Sequence, residues 1–235
     1  MLAIPLLYQD DELLIVNKPA GIAMHDSDAV GNQGIVTLLK HQCGIPQLHL
    51  CHRLDTGTSG CLCLAKDART AALVGEAFAS RTVSKFYLAL SADKPKKKQG
   101  SIIGDMKNRR GGQFMLLKEK YNPAVTQFFS YSAKPGIRGF IVKPYTGKTH
   151  QIRVALKSVG AAIIGDSLYG GKPADRLHLH AWSLTLPMPH NPISVTAPIL
   201  DGEFFVDEQI RSWVTSLAEP TTFPWPSVAP HLLIR

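Results

Sequence analysis

Residues 52–67 read HRLDTGTSGCLCLAKD, and this stretch decides how the neighbouring chain is expected to fold. Its second half contains CLCLA at 61–65, a short and wholly apolar run that is typical of a buried strand. Its first half sets Asp55 between an arginine and a turn rich in Thr, Gly and Ser, which predicts a carboxylate on a constrained loop at a sheet edge. The spacing alone leaves two interpretations open: Asp55 is a functional carboxylate, or it only caps the turn.

The segments outside this stretch predict a mixture of short strands and helices. The clearest helix covers 68–80, where apolar residues recur at helical spacing. Further elements are predicted as helices at 35–42, 148–158 and 203–217, and as strands within 6–16 and at 83–90, 137–143 and 177–186. Since no regular β–α–β rhythm links them, the pattern favours an α+β fold with a largely antiparallel sheet. We expect one domain over 1–218 and a Pro-rich tail over 219–235 that wraps loosely or docks on the surface.

The composition is typical of a folded protein, and the net charge favours a polyanionic partner. The chain has 235 residues, 45% of them apolar, and 26 Lys and Arg against 18 Asp and Glu give a net charge of +8. Such a balance favours nucleic acid among polyanionic partners. The runs KPKKK at 94–98 and KNRRGG at 107–112 are interrupted by Pro or Gly and are therefore predicted loops. Arg109 and Arg110 are candidate phosphate contacts, with a solvated surface loop as the alternative.

Several classes of protein and site are excluded by the sequence. No apolar run approaches the roughly 20 residues of a membrane helix, and the N-terminus lacks the pattern of a secretory signal. Cys61 and Cys63 share one face of the apolar run and are interpreted as reduced core thiols of a cytosolic protein. A Walker A motif fails because Val142 stands where glycine is needed. His178 and His180 share a strand face without the arrangement of Cys or carboxylates that a metal site needs, so neither metal nor cofactor is expected.

The motif at 52–67 resembles the active-site motif of RluA-type RNA pseudouridine synthases. The resemblance extends over about 180 residues, with matching segments in the family's order: DELLIVNKPAGIAMH (11–25), KFYLAL (85–90), GKTHQIRVAL (147–156), GDSLYGG (165–171) and RLHLHAWSL (176–184). Lys148 stands where the family usually has Arg. The resemblance implies a pseudouridine synthase catalytic domain alone, without the family's optional N-terminal S4-like domain.

The resemblance implies isomerisation of specific uridines to pseudouridine in structured RNA, with base flipping and with no external reactant. A cytoplasmic monomer acting on a tRNA or rRNA stem-loop is expected, without membrane or metal. The alternative from another class is a non-catalytic RNA-binding or RNA-remodelling protein, and a third is a basic hydrolase that uses Asp55. The presence of Asp55, Tyr87 and Arg153 together weighs against simple binding, since binding needs no carboxylate near phosphates.

The resemblance also implies the catalytic roles. Asp55 matches the essential carboxylate, which would add to C6 of the base or to C1′, or remove the 2′ proton of the sugar; the sequence leaves these chemistries open. Arg153 matches the residue that pairs with this carboxylate and would keep it ionised and directed beneath a stacked base. Tyr87 matches the tyrosine that stacks on the target base. Three neighbouring polar residues are expected as secondary contacts or loop supports: His52, His150 and Gln151.

The remaining candidates concern substrate binding. Leu179 matches an apolar residue that walls the base pocket, although a plain core leucine is the alternative. Arg53 would enter the space left by the flipped base or hold its phosphate. Arg109, Arg110 and Lys148 complete the expected RNA contacts.

Overall fold

The computed structural model describes residues 3–27 and 33–232. The α-helices in this part of the chain are α1 Ile35–Cys43, α2 Ala68–Ala79, α3 Gln151–Ser158 and α4 Glu208–Thr215. The strands are β1 Leu6–Gln9, β2 Leu13–Lys18, β3 His49–Leu50, β4 Ser59–Ala65, β5 Ser84–Ser91, β6 Gln99–Gly104, β7 Met106–Asn108, β8 Phe114–Leu116, β9 Ala124–Lys134, β10 Ile137–Pro144, β11 Leu179–Leu186 and β12 Ile193–Thr196. Within the described ranges, every helix is too short or too polar to cross a bilayer.

The chain divides into two compact units, and unit 1 comprises Met1–Lys85 with His180–Ile199. In its sheet, β2 pairs antiparallel with β1 and β4, β11 runs parallel to β4, and β12 pairs antiparallel with β11. The core of this unit includes both cysteines of the apolar run and residues of α2, β11 and β12: Leu13, Ile15, Cys61, Cys63, Ala65, Val74, Val83, Leu184, Leu186, Val195 and Ala197. The cysteines are free thiols, and burial raises the pKa of Cys61 to about 12, which keeps that thiol protonated.

The start of β4 explains why the motif carries glycine there. Gly60 has φ 109°, and a Cβ at this position would lie 2.2 Å from the carbonyl oxygen of Ala181 on the parallel partner strand. Only glycine permits this close approach. Beyond Gly60, every residue of β4 is buried, as expected for a strand covered on both faces.

Unit 2 comprises Phe86–Leu179 with Leu200–Arg235. In its sheet β10 pairs antiparallel with β5 and β9, and β6 pairs antiparallel with β9. The strands β7 and β8 form a separate antiparallel hairpin over residues 106–116. Helix α3 packs its apolar face into a core made of these residues: Ala89, Ile102, Phe128, Phe140, Val142, Ile152, Ala155, Leu156, Ala161, Ile163, Leu177 and Leu179.

The α+β class with a largely antiparallel sheet is confirmed. Two helices begin later than predicted, α3 at Gln151 and α4 at Glu208. For α3 the reason is His150, which adopts a left-handed conformation with φ 56° at the N-cap and so starts the helix after it. The strands β6, β9 and β12 were not predicted; β9 contains polar residues whose partners are distant in sequence, such as Gln127, which bonds Ser101 Oγ.

The prediction of a loop over 107–112 is wrong in part. Lys107 and Asn108 pair with β8, and only the residues after them reverse the chain. The turn is tight because Gly111 and Gly112 adopt left-handed conformations, with φ of 74° and 73°. The amide of Arg109 closes the turn by donating to the Gln113 carbonyl at 2.8 Å. The run at 94–98 lies outside strands and helices, as predicted.

Part of the Pro-rich segment packs against the sheet of unit 2. The rings of Phe223 and Trp225 lie 5.6 and 4.8 Å from that of Phe129, centroid to centroid. The Gln127 side-chain amide donates to the Pro226 carbonyl at 2.7 Å. The described part of this segment therefore docks on the surface. The domain boundary after 218 stays a prediction.

Candidate active site

Asp55 lies on a loop between β3 and β4 in unit 1, and a buried lysine organises that loop. Lys18 is fully buried, and its ammonium donates to the carbonyls of Pro19 at 2.9 Å, Ile22 at 2.8 Å and Thr56 at 3.2 Å. The Thr56 carbonyl also accepts from the amide of Gly21 at 2.8 Å. The turn containing NKPAG is thereby joined to the residue that follows Asp55.

Local hydrogen bonds complete the turn. The Asp55 carbonyl accepts from the amide of Thr58 at 2.9 Å, which closes a tight turn over 55–58. Thr58 and Ser59 are buried, and the Ser59 hydroxyl shares a 2.7 Å hydrogen bond with Nδ1 of His180. The Asp55 side chain is partly exposed at the start of this turn. The backbone at and after Asp55 is therefore anchored by hydrogen bonds.

His52 supports the same segment as a neutral imidazole. Its Nε2 accepts from the backbone amide of Cys63 at 2.9 Å, and its ring stacks on Phe78 at 4.5 Å. Desolvation and the nearby Lys85 ammonium lower the pKa of His52 to about 3. Burial, with a smaller effect of Arg81, in turn lowers the pKa of Lys85 to about 8. Of the two roles expected for His52, secondary contact or loop support, these contacts favour loop support.

Arg153 lies on α3 in unit 2, where it pairs with the buried carboxylate of Asp166. Asp166 was not among the site residues predicted from the sequence. The Nε and Nη2 of Arg153 donate to the two carboxylate oxygens of Asp166 at 2.8 and 2.9 Å. The Asp166 side chain is fully buried, and that of Arg153 is 12% exposed. The Tyr169 ring lies 5.1 Å from the guanidinium carbon of Arg153. Asp166 and Tyr169 lie in the GDSLYGG segment, so the matching motif was the signal that could have identified them.

The start of α3 is held by His150 and Gln151, two residues that were expected as secondary contacts or loop supports. Nδ1 of His150 shares a 3.0 Å hydrogen bond with the Tyr169 hydroxyl. The buried Gln151 side chain accepts from the hydroxyl of Thr146 at 2.6 Å and donates to the carbonyl of Val125 at 3.1 Å. These contacts anchor the helix from which Arg153 extends, and they favour support over substrate contact for both residues.

Tyr87 and Leu179 lie beside the core of unit 2. Tyr87 is opposite Val142 in the β5–β10 register, and its partly buried ring packs against the core. Leu179 is 3% exposed and belongs to that core. This placement agrees with a plain core leucine, and its role as a pocket wall stays a prediction.

The basic candidates are distributed over surface segments. Arg109 and Arg110 are exposed at the tip of the 106–116 hairpin. The Lys148 ammonium donates to the side-chain carbonyl of Asn122 at 2.8 Å. Arg53 is exposed next to the Asp55 turn, in backbone that is not part of a strand.

The candidate residues are divided unevenly between the two units. Unit 1 holds Asp55 and Arg53; unit 2 holds Tyr87, Arg153 and the remaining candidates. Within unit 2, Arg153 contacts Asp166 and Tyr169, which both lie in the 165–171 segment. The pairing of Arg153 with Asp55 stays a prediction.

The histidines of the 176–184 segment have structural partners. Nδ1 of His178 bonds the Arg176 carbonyl at 2.8 Å, and Nε2 of His180 bonds the Ala197 carbonyl at 2.9 Å. Over residues 3–27 and 33–232, no three His, Cys, Asp or Glu side chains are grouped as metal ligands would be.

Comparison with known proteins adds the following. Residues 12–158 match the family model described as RNA pseudouridylate synthase. A Haemophilus influenzae protein named as an uncharacterized RNA pseudouridine synthase is 46% identical over 218 residues, covering 90% of this chain and 96% of the relative. Ribosomal large subunit pseudouridine synthase C of Vibrio vulnificus is 30% identical over 90% of this chain and 69% of its own length. The structure of human RNA pseudouridylate synthase domain containing 4 has a TM-score of 0.70 at 28% identity, covering 88% of this chain and 93% of that chain.

Proposed function

The chain belongs to the RNA pseudouridylate synthase family and is an RNA pseudouridine synthase, and on that premise we propose that Asp55 is its essential carboxylate. The observation that carries this proposal is the Asp55 turn, whose following residue is bonded by the buried ammonium of Lys18. A carboxylate that reacts with substrate must be positioned, and an anchored turn fixes the backbone that carries it. An Asp that only caps a turn needs no such anchor.

Arg153 and Tyr87 are proposed as its catalytic partners. The guanidinium of Arg153 donates two hydrogen bonds to the buried Asp166, which limits the directions that it can take. It would keep the Asp55 carboxylate ionised when a base excludes water. Tyr87 would stack on that base. The carboxylate would add to C6 or C1′ or remove the 2′ proton. In each route the N1–C1′ bond breaks, C5 bonds to C1′, the C5 proton leaves to solvent and N1 takes up a proton.

The target uridine must leave its stack to reach a protein carboxylate. Base flipping costs a few kcal/mol in a duplex and less in a loop. We assign Arg53 to the space or phosphate of the flipped nucleotide and Leu179 to the wall of the base pocket. Arg53 is exposed and adjacent to the Asp55 turn, which supports its part in this assignment.

The substrate is proposed to be a stem-loop of ribosomal or transfer RNA. The net charge of +8 favours a phosphate backbone. The exposed arginines of the 106–116 hairpin, with Lys148, would contact it. The relative from Vibrio vulnificus makes ribosomal RNA the first substrate to test. We propose that the enzyme acts as a monomer in the cytoplasm, where such RNA is directly accessible.

The test uses RNA labelled with tritium at C5 of uridine. Pseudouridine formation replaces the C5–H bond by a C5–C1′ bond, so label enters solvent in proportion to product, whereas binding alone releases none. When the enzyme is added to labelled total RNA from cells that lack it, label should be released without added metal, nucleotide or reductant. Release should plateau near one label per target site. No release from any RNA fraction would contradict the proposal.

Asp55→Asn is the decisive variant. It keeps the shape of the side chain and removes its charge, so label release should stop while RNA binding stays within a few-fold. Tyr87→Phe keeps the ring and loses the hydroxyl; normal release would make Tyr87 a stacking platform, and a large loss would give its hydroxyl a part in proton transfer. Turnover near that of the wild type in Asp55→Asn would show that the Asp55 carboxylate is not essential.

A further inference from the structure

The 106–116 hairpin is attached to the rest of unit 2 by the segment that follows Asp166. The backbone amide of Phe114 donates to the Tyr169 hydroxyl at 2.9 Å, and the Gln113 side-chain amide donates to the Leu168 carbonyl at 3.0 Å. The Phe114 ring also meets the edge of His150 at 5.7 Å between centroids. These contacts hold the end of the hairpin next to the turn that carries Arg109 and Arg110.

The same tyrosine lies against Arg153. Its ring is 5.1 Å from the Arg153 guanidinium carbon, and its backbone amide donates to Asp166 at 3.3 Å. Asp166 in turn holds Arg153 through two hydrogen bonds. Tyr169 is 7% exposed, so it has little freedom to move independently of its neighbours.

We propose that Tyr169 is a positioning residue that couples the 106–116 hairpin to Arg153, so that seating of the hairpin on RNA aligns the guanidinium for catalysis. The inference rests on the proposed roles of Arg153 and of the hairpin arginines. It adds a residue and a connection that those roles do not require.

The geometry allows movement to be transmitted in one direct step. The Tyr169 hydroxyl bonds both the hairpin backbone at Phe114 and the imidazole of His150 at the start of α3. A shift of the hairpin therefore acts on the ring that packs on Arg153 and on the helix that carries it. His150 holds a left-handed backbone with φ 56°, which persists only where surrounding contacts maintain it.

Tyr169→Phe separates this coupling from simple packing. The variant keeps the ring against Arg153 and loses only the hydroxyl. With labelled total RNA and enzyme in excess, the single-turnover rate should fall about tenfold, the upper range for one lost hydrogen bond, while RNA affinity changes less than threefold. Gln113→Ala removes the second attachment and should lower the rate in the same way. Tyr121→Phe is the matched control, since that tyrosine is 92% exposed and should keep the wild-type rate.

A double-mutant cycle gives the readout that a structural role would not produce. Arg109→Ala with Arg110→Ala should lower the saturated single-turnover rate in the wild-type background and add little in the Tyr169→Phe background. Rate losses that multiply independently would overturn the coupling, as would wild-type rates in both Tyr169→Phe and Gln113→Ala. Absence of label release from the wild-type enzyme would instead contradict the function on which the inference rests.

Discussion

Lys18 is a fully buried lysine whose ammonium is bonded by the backbone carbonyls of Pro19, Ile22 and Thr56. Lysines are among the residues least often found fully buried, because removing an ammonium from water is costly unless polar groups replace the water. Here three carbonyls replace it. The side chain therefore acts as an internal cross-link between the 19–22 turn and the Asp55 turn.

Lys18→Met tests this cross-link. The substitution keeps most of the side-chain volume but leaves carbonyls that face it without a donor, so we expect a loss of about 2–4 kcal/mol of unfolding free energy. Label release should fall at least tenfold, because Thr56 adjoins Asp55. Urea unfolding and tritium release measure the two effects. Lys66→Met, which removes a hydrogen bond to the Asp10 carbonyl, is the control and should retain turnover. Wild-type turnover in Lys18→Met would show that the turn holds itself.

His52 makes stability depend on pH. Its pKa is about 3 in the folded protein, because of desolvation and the Lys85 ammonium, against 6.5 for a free imidazole. The folded state therefore binds fewer protons than the unfolded state between these values. Above pH 6.5 the imidazole is neutral in both states and does not reduce the unfolding free energy. The unfolding free energy then decreases as the pH falls from 6.5 toward 3. Within that window this group lowers the unfolding free energy by up to about 1.4 kcal/mol per pH unit.

His52→Gln should remove this dependence. The Gln side-chain carbonyl can accept from the Cys63 amide without titrating, so the loss of stability between pH 7 and pH 5 should be smaller than in the wild type. Urea midpoints at the two pH values give the comparison. His190→Gln is the control, since His190 is exposed and should leave the wild-type slope unchanged. An identical slope in His52→Gln and wild type would show that another group carries the dependence.

The 106–116 hairpin presents its arginines at the element scale. Two strands of three residues each hold a turn at whose tip both guanidinium groups are exposed. Charges at the end of such a support can reach a phosphate backbone, which a flat surface cannot do equally well. Because this segment is a paired hairpin and not the loop that was predicted, Arg109 and Arg110 have a defined position.

Arg109→Ala with Arg110→Ala should weaken RNA binding and flatten its salt dependence. Each lost phosphate contact reduces the slope of log K against log salt by roughly 0.7 to 0.9. Binding measured at several salt concentrations gives this slope. Lys40→Ala with Arg69→Ala, on α1 and α2, removes the same charge elsewhere and should change the slope less. Equal slopes for the two double variants would make the hairpin arginines ordinary surface charges.

At the scale of the whole molecule, the segment after 218 contributes to the fold of unit 2. Trp225 packs on Phe86 and Phe129, with centroids at 5.8 and 4.8 Å, and its indole donates to the Pro220 carbonyl at 2.8 Å. A segment with these contacts stabilises the sheet on which it lies. The proposal of a catalytic domain over 1–218 therefore predicts that this segment affects stability more than catalysis.

Trp225→Ala should lower the unfolding free energy by about 1–3 kcal/mol, less than for a fully buried Trp because the ring is half-buried. The melting temperature should fall by several degrees, roughly 2–4 °C for each kcal/mol. Label release well below that temperature should stay within twofold of the wild type. Leu200→Ala removes an exposed apolar side chain from the same unit and should melt near the wild type. A large loss of turnover in the folded Trp225→Ala enzyme would place the segment in catalysis.

The sequence by itself determined the α+β class, the buried strand after Asp55 and the family, because hydrophobic period and ordered motifs are local properties of the chain. It also indicated Arg153 on a helix. The tertiary structure decided what surrounds these residues: Lys18 on the Asp55 turn, and Asp166 and Tyr169 on Arg153. Each of these contacts joins residues 13 to 38 positions apart, and no local pattern specifies which distant side chain fills a buried site. The hairpin was missed for a related reason, since two left-handed glycines shorten a reversal in a way that composition alone does not reveal.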